Sequence, residues 1–423
     1  MVAQATALPR LCSQLRLAKG LRELVLDLDG GAAYAVPAEV ATLSCLTQLD
    51  SLQLHSLAIH HVTGDHLTAA LSSLTQLTQL SLRFECEPAT IPDAADRARR
   101  RLVFPWTEAV CGLTKLQQLC IAADASGWSS NAMYKGTLPA ALSQLTALQH
   151  ITVLGMETWQ GYEYSVLLPL AALPALDNAA LRMRSASGDE DQQPVVLPRL
   201  VSLSFALQEC VSGDEQWGGT HLPTLIAPAL TELVLEDMWL DADSGQLSWM
   251  AGLPHLRRLV LKSLQIFQTA SGFPEGVTAC SSLTELVVEH ITVSPRSQPD
   301  SDRADVWSDS EMLQRLPVAD TYVGQLVRLS LARNAFSSVP PILAAATAMQ
   351  LLDLAHQHVY VYGDDPDDDD DDLFTNQRPA RLHGLSVLNK LPCLRGVDLA
   401  GFDESDAGIR EFRAAHPDVR LTF

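Results

Sequence analysis

The sequence predicts an α/β solenoid in which one short strand from each repeat joins a parallel sheet. A six-residue pattern occurs three times, beginning at Leu230, Leu256 and Leu283, so the copies start 26 and 27 residues apart. In each copy the last two apolar residues are two positions apart and therefore point to the same face of a strand. Because an isolated amphipathic strand cannot bury that face, a period of this length indicates that the copies stack and share one continuous core.

The same leucine pattern marks thirteen repeats along the chain. They begin at Leu21, Leu49, Leu77, Leu116, Leu148, Leu176, Leu200, Leu230, Leu256, Leu283, Leu326, Met349 and Leu394. A partial fourteenth repeat, 419–423, ends the chain. Most steps between repeats are 23 to 32 residues, and the three longer steps of 39, 43 and 45 residues indicate insertions.

Several segments share one spacing of leucines. Residues 74–82 read LTQLTQLSL and residues 253–261 read LPHLRRLVL, so both contain LxxLxL, while residues 136–145 read GTLPAALSQL. These motifs resemble the leucine-rich repeat family over nearly the whole chain, and the last is similar to its plant-type segment GxLPxxLxxL. The resemblance implies a horseshoe with a parallel β-sheet on the concave face and loops or short helices on the convex face. It also implies protein binding as the usual role.

One position departs from the family pattern. The family places an asparagine three residues after the last strand leucine, and the sequence has it at Asn334. Other repeats have a polar or an apolar residue there: Asp29, Glu85, Asp124 and Gln208, or Leu57, Met238, Leu264, Ile291 and Phe402. We expect an apolar residue to fill the core while backbone groups or water bond the turn. The apolar version resembles the repeats of plant F-box proteins, although no F-box-like helical segment precedes Leu21.

The repeats predict three parts and four insertions. Residues 1–20 are expected to form an amphipathic N-terminal cap, 21–402 the leucine-rich repeats, and 403–423 a C-terminal capping helix and last strand. The insertions lie at 85–112, 122–140, 292–325 and 355–393. In the C-terminal part, Ser405 or Asp406 is placed to cap a helix whose Ile409 and Phe412 face inward.

The insertions differ in composition. Residues 93–101 predict a short helix that carries the basic cluster Arg97 and Arg99–Arg101. A solvated helix face explains this cluster, and the alternative is an internal tether for the Asp364–Asp372 loop or a contact with an acidic partner. The Ser-, Asp-, Gly- and Pro-rich insertions 122–140 and 292–325 are expected to be loops. The tract Asp364–Asp372 lacks apolar anchors, so we expect it to be disordered.

Composition excludes several partners and sites. The net charge of −21 argues against nucleic acid and anionic membranes, which need a basic surface. No segment reads as a signal peptide or a bilayer-spanning run, and the eight cysteines form no C-x-x-C pair, so a cytoplasmic protein with reduced thiols is expected. The histidines, including His55, His60, His61 and His66, lack zinc-ligand spacing. We expect no metal, no cofactor and no catalysis, because no nucleotide-binding or hydrolase motif is present.

The exposed strand positions form the first candidate binding site. In three consecutive repeats these positions carry charges of alternating sign, and a cation follows in the next repeat: Glu232 and Glu236, Arg258 and Lys262, Glu285 and Glu289, then Arg328. Equivalent residues of neighbouring strands lie about 4.8 Å apart, so these charges become side-chain neighbours. One interpretation is a ladder that satisfies itself and adds little stability. The other is a surface that fixes the register of a charged protein partner.

Aromatic residues that follow several strands form the second candidate. The tryptophans of this group are Trp128, Trp159, Trp217 and Trp239. Loops that leave the same strand end gather on one flank, and exposed tryptophans are favoured contact residues in protein interfaces. The alternative is that these rings pack as core under the loops.

The sequence therefore predicts a non-catalytic, monomeric scaffold that binds a protein partner on the concave face and the loop flank. Two alternatives stay open. One is the substrate-recognition subunit of an SCF-type ubiquitin ligase, and the other is a structural component of the cytoskeleton or the ciliary axoneme. The second alternative would change the expected location from the cytoplasm to the cytoskeleton.

Overall fold

The structure is a computed structural model of the 423-residue chain. It describes residues 2–4, 17–18, 20–27, 38–58, 64–85, 107–124, 134–135, 140–158, 170–185, 194–209, 224–241, 247–268, 275–295, 305–306, 323–334, 336, 338–359, 378–379 and 382–423. The chain forms two compact units, Met1–Glu215 and Gln216–Phe423.

The first unit contains a parallel sheet with one strand per repeat. The strands of this unit are β1 (Val2–Gln4), β2 (Glu23–Asp27), β3 (Ser51–Ala58), β4 (Gln79–Glu85), β5 (Gln118–Asp124), β6 (Tyr134–Lys135), β7 (His150–Thr158), β8 (Asn178–Ser185), β9 (Val195–Val196) and β10 (Ser202–Glu209), of which β9 lies outside that sheet. Within the unit the sheet runs β1-β2-β3-β4-β5-β7-β8-β10, with β6 beside β7, and each pair is parallel. Helices connect some of these strands: α1 (Gly64–Ser73), α2 (Thr107–Cys111) and 3-10 turns at Ala38–Cys45 and Ala140–Gln144.

The second unit repeats this plan with shorter strands. They are β11 (Leu225–Ile226), β12 (Glu232–Glu236), β13 (Trp239–Asp241), β14 (Arg258–Lys262), β15 (Gln265–Gln268), β16 (Glu285–Glu289), β17 (Thr292–Pro295), β18 (Asp305–Val306), β19 (Arg328–Ser330), β20 (Leu351–Asp353), β21 (His358–Val359), β22 (Arg378–Pro379), β23 (Gly396–Asp398) and β24 (Arg420–Thr422). The main sheet runs β12-β14-β16-β19-β20-β23-β24 with parallel pairs throughout. Its helices are α3 (Glu275–Thr278), α4 (Ala407–Ala415) and 3-10 turns at Ser248–Gly252, Pro341–Ala345 and Leu385–Lys390. The predicted α/β solenoid, a leucine-rich-repeat architecture, is confirmed.

A continuous row of leucines forms the core of the second unit. Leu233, Leu259 and Leu286 are directly in register on β12, β14 and β16, and each is at most 1% exposed. Leu329 and Leu352 continue the row on β19 and β20. Because the residues on either side of each leucine point to the other face, the alternation predicted from the sequence determines which side chains remain accessible.

A left-handed backbone conformation occurs at the same place in seven repeats, within β3 in one of them and after the strand in the other six. The residue five positions after the first strand residue has a positive φ, between 51° and 90°, in each case: Ser56, Asp237, Ser263, His290, Arg333, His356 and Gly401. The last of these is the one glycine of the set. At Ser263 the backbone N–H donates to the carbonyl of Glu289 in the next repeat at 2.9 Å, so the turn also contributes to stacking.

The expected role of apolar residues after the turn is confirmed in the second unit. Met238, Leu264 and Ile291 are at most 1% exposed, so they fill the core. The backbone that follows them forms a second sheet, with β13, β15 and β17 parallel and β18 antiparallel to β17. Backbone pairing therefore replaces the side-chain bonds that an asparagine makes at this position.

Three insertions contain more regular structure than the sequence predicts. The segment 122–140, expected to be a loop, contains the end of β5 and the strand β6, which pairs with β7. The segment 292–325, expected to be a loop, contains β17 and β18. The segment 355–393 contains β21 and β22, which pair antiparallel, and the turn Leu385–Lys390. Composition alone misses these strands because Ser, Pro and Asp disfavour strands as single residues, while pairing with an existing neighbour depends on tertiary context.

Residues near both ends of the sequence extend the described structure beyond the repeats. Residues 2–4, within the predicted N-terminal cap, form a strand that extends the sheet in register with β2. At the other end the carboxylate of Asp406 accepts a hydrogen bond from the N–H of Gly408, so Asp406 is the residue that caps α4. Ile409 and Phe412 on that helix are buried, as predicted. The predicted helix 93–101 with its arginines and the tract Asp364–Asp372 lie outside the described residues.

Candidate functional site

The alternating charges form two columns on the exposed face of the second unit's main sheet. In the first column Glu232, Arg258, Glu285 and Arg328 are directly in register on β12, β14, β16 and β19. In the other column Glu236, Lys262 and Glu289 are in register on β12, β14 and β16. The structure therefore brings together all seven charged residues of the predicted site.

Arg258 is held between two carboxylates in the first column. Its guanidinium donates one hydrogen bond to Glu232 and a second, from Nε, to Glu285 Oε1 at 2.9 Å. Partial burial lowers the pKa of Arg258, but the bonds to Glu285 and Glu232 outweigh this effect, and the pKa is raised above its ordinary value. Arg328 lies at the end of the column. Its Nη1 is 4.0 Å from Glu285 Oε2, and 61% of its side chain is exposed.

The second charged column is also largely compensated. Lys262 Nζ donates to Glu236 Oε1 at 2.8 Å, and this hydrogen bond raises the pKa of Lys262. The next residue in the column, Glu289, has its Oε1 2.9 Å from the hydroxyl oxygen of Ser330, within hydrogen-bond distance. Because these pairs are partly exposed, each contributes little to the free energy of unfolding.

A row of small and aliphatic side chains separates the two columns. Val234, Val260 and Val287 are in register on β12, β14 and β16. Val260 is 7% exposed, and its two neighbours are half-buried. The surface between the charges is therefore an aliphatic strip, which suits an extended partner better than an enclosed small molecule.

The middle column of the same face changes from valine to polar and acidic residues at β19. Its middle position is Ser330, and the next two strands place Asp353 and Asp398 there, in register with one another. Ser330 Oγ lies 3.0 Å from Asp353 Oδ2 as well as 2.9 Å from Glu289 Oε1, so its single hydroxyl hydrogen can serve either carboxylate. Sequence reasoning did not single out Asp353 or Asp398, although both occupy the middle strand position used to find the valines.

The exposed face of the first unit carries mostly neutral polar groups in its first column. Gln79, Gln118, His150 and Asn178 are in register on β4, β5, β7 and β8. The side chains of Asn178 and His150 form a hydrogen bond of 2.9 Å. Such groups can bond a polar partner, but they lack the charge pattern of the second unit.

The side chains of the predicted aromatic flank are not among those that the structure describes. Trp128, Trp159 and Trp217 lie outside the described residues. Trp239 is the first residue of β13, where its backbone pairs with Gln265, and its side chain is not among those described. The aromatic flank therefore stays a prediction.

The cysteines and histidines of the described residues show no reactive arrangement. Within that part of the chain no group of three His, Cys, Asp or Glu side chains could hold a metal ion. Cys280 is buried, which raises the pKa of its thiol to about 11, and its Sγ lies 3.4 Å from the carbonyl oxygen of Gly276. Among the helices that the structure describes, none is long and apolar enough to cross a membrane.

Comparison with known proteins identifies only structural neighbours. No protein-family model and no curated protein matches the chain. An internalin from Listeria monocytogenes str. 4b F2365 is similar in structure, at 13% identity over 99% of this chain and 94% of that one, with a TM-score of 0.49. A leucine-rich repeat protein of Leptospira interrogans is similar at 14% identity over 100% of both chains, with a TM-score of 0.34.

The fold is a leucine-rich-repeat solenoid. This assignment rests on the chain's own strand register, in which successive repeats add one parallel strand each and bury their apolar residues in a shared core. The predicted plant-type and F-box-like subtypes of repeat gain no support from either neighbour and stay predictions.

Proposed function

We propose that this chain is a non-catalytic scaffold that binds a protein partner across the exposed face of the second unit's main sheet. The observation that supports this function is the valine strip of Val234, Val260 and Val287, which lies between two columns of charged side chains. An apolar centre with a polar border is the usual composition of a protein interface. The candidate contact residues are those of the predicted site, including the loop tryptophans Trp128, Trp159, Trp217 and Trp239.

The charge ladder contributes orientation more than affinity in this proposal. Arg258 and Lys262 already have carboxylate partners, so a protein that docks here gains little from replacing those contacts. A partner with complementary charges is steered into one register, while a partner with the opposite arrangement is repelled. The valine strip then supplies the apolar area that is removed from water.

Proximity labelling in the native cell, followed by mass spectrometry, tests this function. The informative variant is Val287→Lys, which places a long cation on the strip between Glu285 and Glu289 without removing an ion pair. Val201→Lys is a matched control, because Val201 lies in the first unit and is 39% exposed. We expect Val287→Lys to lose specific labelled proteins that Val201→Lys retains, with both variants melting like the wild type.

Two further variants extend this test. Arg258→Glu removes the centre of the ladder, and simultaneous alanine substitution at Trp128, Trp159 and Trp239 tests the flank. Identical labelling of the same proteins by the wild type and by all these variants would refute the proposed binding face. Enrichment of cullin-adaptor subunits would instead favour the ubiquitin-ligase role, and sedimentation with microtubules would favour the cytoskeletal one.

A further inference from the structure

The two charged columns of the second unit change sign together from strand to strand. Each strand presents two side chains of the same sign, one in each column: Glu232 and Glu236 on β12, Arg258 and Lys262 on β14, and Glu285 and Glu289 on β16. The two residues of one strand are four positions apart, so about 13 Å separates the columns. Along either column the sign changes at each new strand, about every 4.8 Å. The charges therefore have a fixed width in one direction and a fixed repeat in the other.

The ion pairs of this face run along the columns. Arg258 bonds Glu232 on one neighbouring strand and Glu285 on the other, while Lys262 bonds Glu236. These bonds join adjacent strands within one column, so they do not cross the valine strip. The strip thus lies between two charged ridges. Its floor is shallow, because the central valine is 7% exposed, and a partner rests on the strip rather than inserting into it.

The dimensions of the strip fit an α-helix that lies across the strands. A helix with its side chains is about 10–12 Å wide, so its two flanks reach both columns. Its pitch is about 5.4 Å, which differs from two strand spacings by about 1.2 Å over two turns. An extended partner strand laid the same way repeats its side chains about every 6.6 Å and differs by about 4 Å over two repeats. A helix therefore keeps one turn above each strand, and an extended strand does not.

We infer that the valine strip with its two charged columns binds an amphipathic α-helix of a protein partner. The helix lies across β12, β14 and β16 and places one aliphatic residue per turn on the strip. On each flank its charges are basic, acidic and basic at successive turns, opposite in sign to the column below. This pattern occupies about eleven residues of the partner, which is three helical turns. The inference rests on the proposed scaffold function and specifies the structure and the charge order of the partner segment.

The charge order selects one register of the helix. Because both columns carry the same sign on a given strand, a shift by one strand would bring like charges together on both flanks, and a partner with the inverted order is repelled. Flank charges of opposite sign one turn apart also stabilise the free helix, so less freedom is lost when it docks. The match ends at β19, where Arg328 continues the first column but the strand stops at Ser330.

The test uses the immobilised full chain and a phage-displayed library of helix-favouring peptides of about eighteen residues. Leucine occupies one position per turn, and the positions on either side of the leucine row vary between lysine and glutamate over three central turns. We expect selection to enrich the order lysine, glutamate, lysine on both flanks. A synthetic peptide of the enriched sequence should bind at least about tenfold more tightly than the same peptide with its flank charges inverted.

A column-swap variant of the chain tests whether the face dictates this order. It inverts the first column alone, by Glu232→Arg, Arg258→Glu, Glu285→Arg and Arg328→Glu. Opposite charges still alternate along the column, so the variant should melt near the wild-type temperature. Selection on it should invert the enriched order on one flank and keep the original order on the other. A peptide that binds through its leucines alone would show no such change.

Two controls separate the charge order from other effects. The double change Arg22→Asp with Asp50→Arg swaps an exposed ion pair of the first unit and should leave the order on both flanks unchanged. A proline in the middle of the enriched peptide should abolish binding, because proline breaks a helix.

Several outcomes would overturn the inference. They are enrichment of no charge order, the same order on both flanks with the column-swap variant, binding of the proline peptide, or a dimer in light scattering that Val287→Lys dissociates, which would make a second copy the occupant. Each of these leaves the scaffold function to be judged by the Val287→Lys labelling experiment. The expected enrichment with unchanged labelling would instead refute the proposed function in the native cell.

Discussion

Asn334 and Gln357 occupy the same position in two consecutive repeats, and each bonds the main chain on both sides of the turn in the preceding repeat. Asn334 Nδ2 donates to the carbonyl of Val288 at 2.8 Å, while its Oδ1 accepts from the N–H of Ile291 at 3.0 Å. Gln357 Nε2 donates to the carbonyl of Leu331 at 2.8 Å, and its Oε1 accepts from the N–H of Phe336 at 2.9 Å. Both side chains thus connect a repeat to the one before it.

Replacement of Asn334 by alanine should destabilise the chain by about 2–4 kcal/mol, because the N–H of Ile291 and the carbonyl of Val288 lose their partner in a buried site. Urea unfolding measures this change. Asn389→Ala is the control, since Asn389 is exposed and bonds only His416 among the contacts seen for it. A loss at Asn334 no larger than at Asn389 would contradict the assigned role.

Gln357 shows why the sequence predicts this feature only in part. It lies three residues after Leu354, as Asn334 lies three after Leu331, so the same spacing identifies it once glutamine is accepted in place of asparagine. Glutamine has the same amide group on a longer side chain. Sequence reasoning placed Gln208 at this position of another repeat but left out Gln357, a buried amide that is 4% exposed.

Other features have no local signal in the sequence. Leucine spacing predicts the strands and the row Leu233, Leu259 and Leu286. In a strand with alternating side chains, a shift of one residue in the pairing would expose the leucines, so the register is strongly restricted. The left-handed turn, in contrast, holds serine at Ser263 and arginine at Arg333, and neither residue type indicates a positive φ. The pairing of Asp353 with Asp398 depends on which strand lies beside β20, and the long insertion between the two strands prevents that from being deduced from spacing.

Replacement of the buried Leu259 by alanine should cost about 2–5 kcal/mol in the free energy of unfolding, since the side chain is 0% exposed between two other leucines. Leu259→Asp should unfold several neighbouring repeats, because stability in a solenoid comes from contacts between nearest repeats. Circular dichroism and hydrogen exchange measure both effects. Leu351→Ala, at a half-exposed site on the other face, should cost far less, and equal losses at the two leucines would refute the assignment of the core.

Ser263→Gly should raise the free energy of unfolding by up to about 1 kcal/mol. The φ of Ser263 is 51°, a conformation that strains a residue with a Cβ and that glycine adopts freely, although glycine also loses more freedom on folding. Thermal unfolding measures the shift. Ser281→Gly is the control, because Ser281 is exposed and not among the positive-φ residues, so this change should be neutral or destabilising. If both substitutions changed the free energy of unfolding in the same direction, backbone strain at Ser263 would not explain the result.

Gly276→Ala should destabilise the second unit strongly. Gly276 lies in α3 against the 3-10 turn Ser248–Gly252, and an added Cβ would meet the carbonyl oxygen of Leu247 at 1.7 Å. The helix must therefore move, at a cost of about 1–3 kcal/mol or more. The matched control is Gly252→Ala in the adjacent turn, where an added Cβ meets nothing within 4 Å. Urea unfolding should separate the two variants, and equal midpoints would show that the close approach does not exist.

The free energy of unfolding should fall as the pH rises from 9 to 11, because the thiol of Cys280 is buried. Burial raises its pKa from 9.0 to about 11, so the folded state retains a proton that the unfolded state releases across this range. Below the pKa of the thiol in the unfolded state, its burial does not oppose folding. As the pH rises from that pKa through the pKa in the folded state, the free energy of unfolding falls by about 1–3 kcal/mol in total. Urea unfolding at closely spaced pH values measures this loss.

Cys280→Ala isolates the contribution of the buried thiol. The variant should be less stable at pH 8, because the contacts of Sγ with the carbonyls of Gly276 and Met250 are removed. Its stability should nevertheless fall less between pH 9 and pH 11 than that of the wild type, since one buried titrating group is gone. Cys393→Ala, at an exposed cysteine, should keep the wild-type pH dependence. Equal slopes for Cys280→Ala and the wild type would mean that the Cys280 thiol titrates alike in both states, and its burial would be refuted.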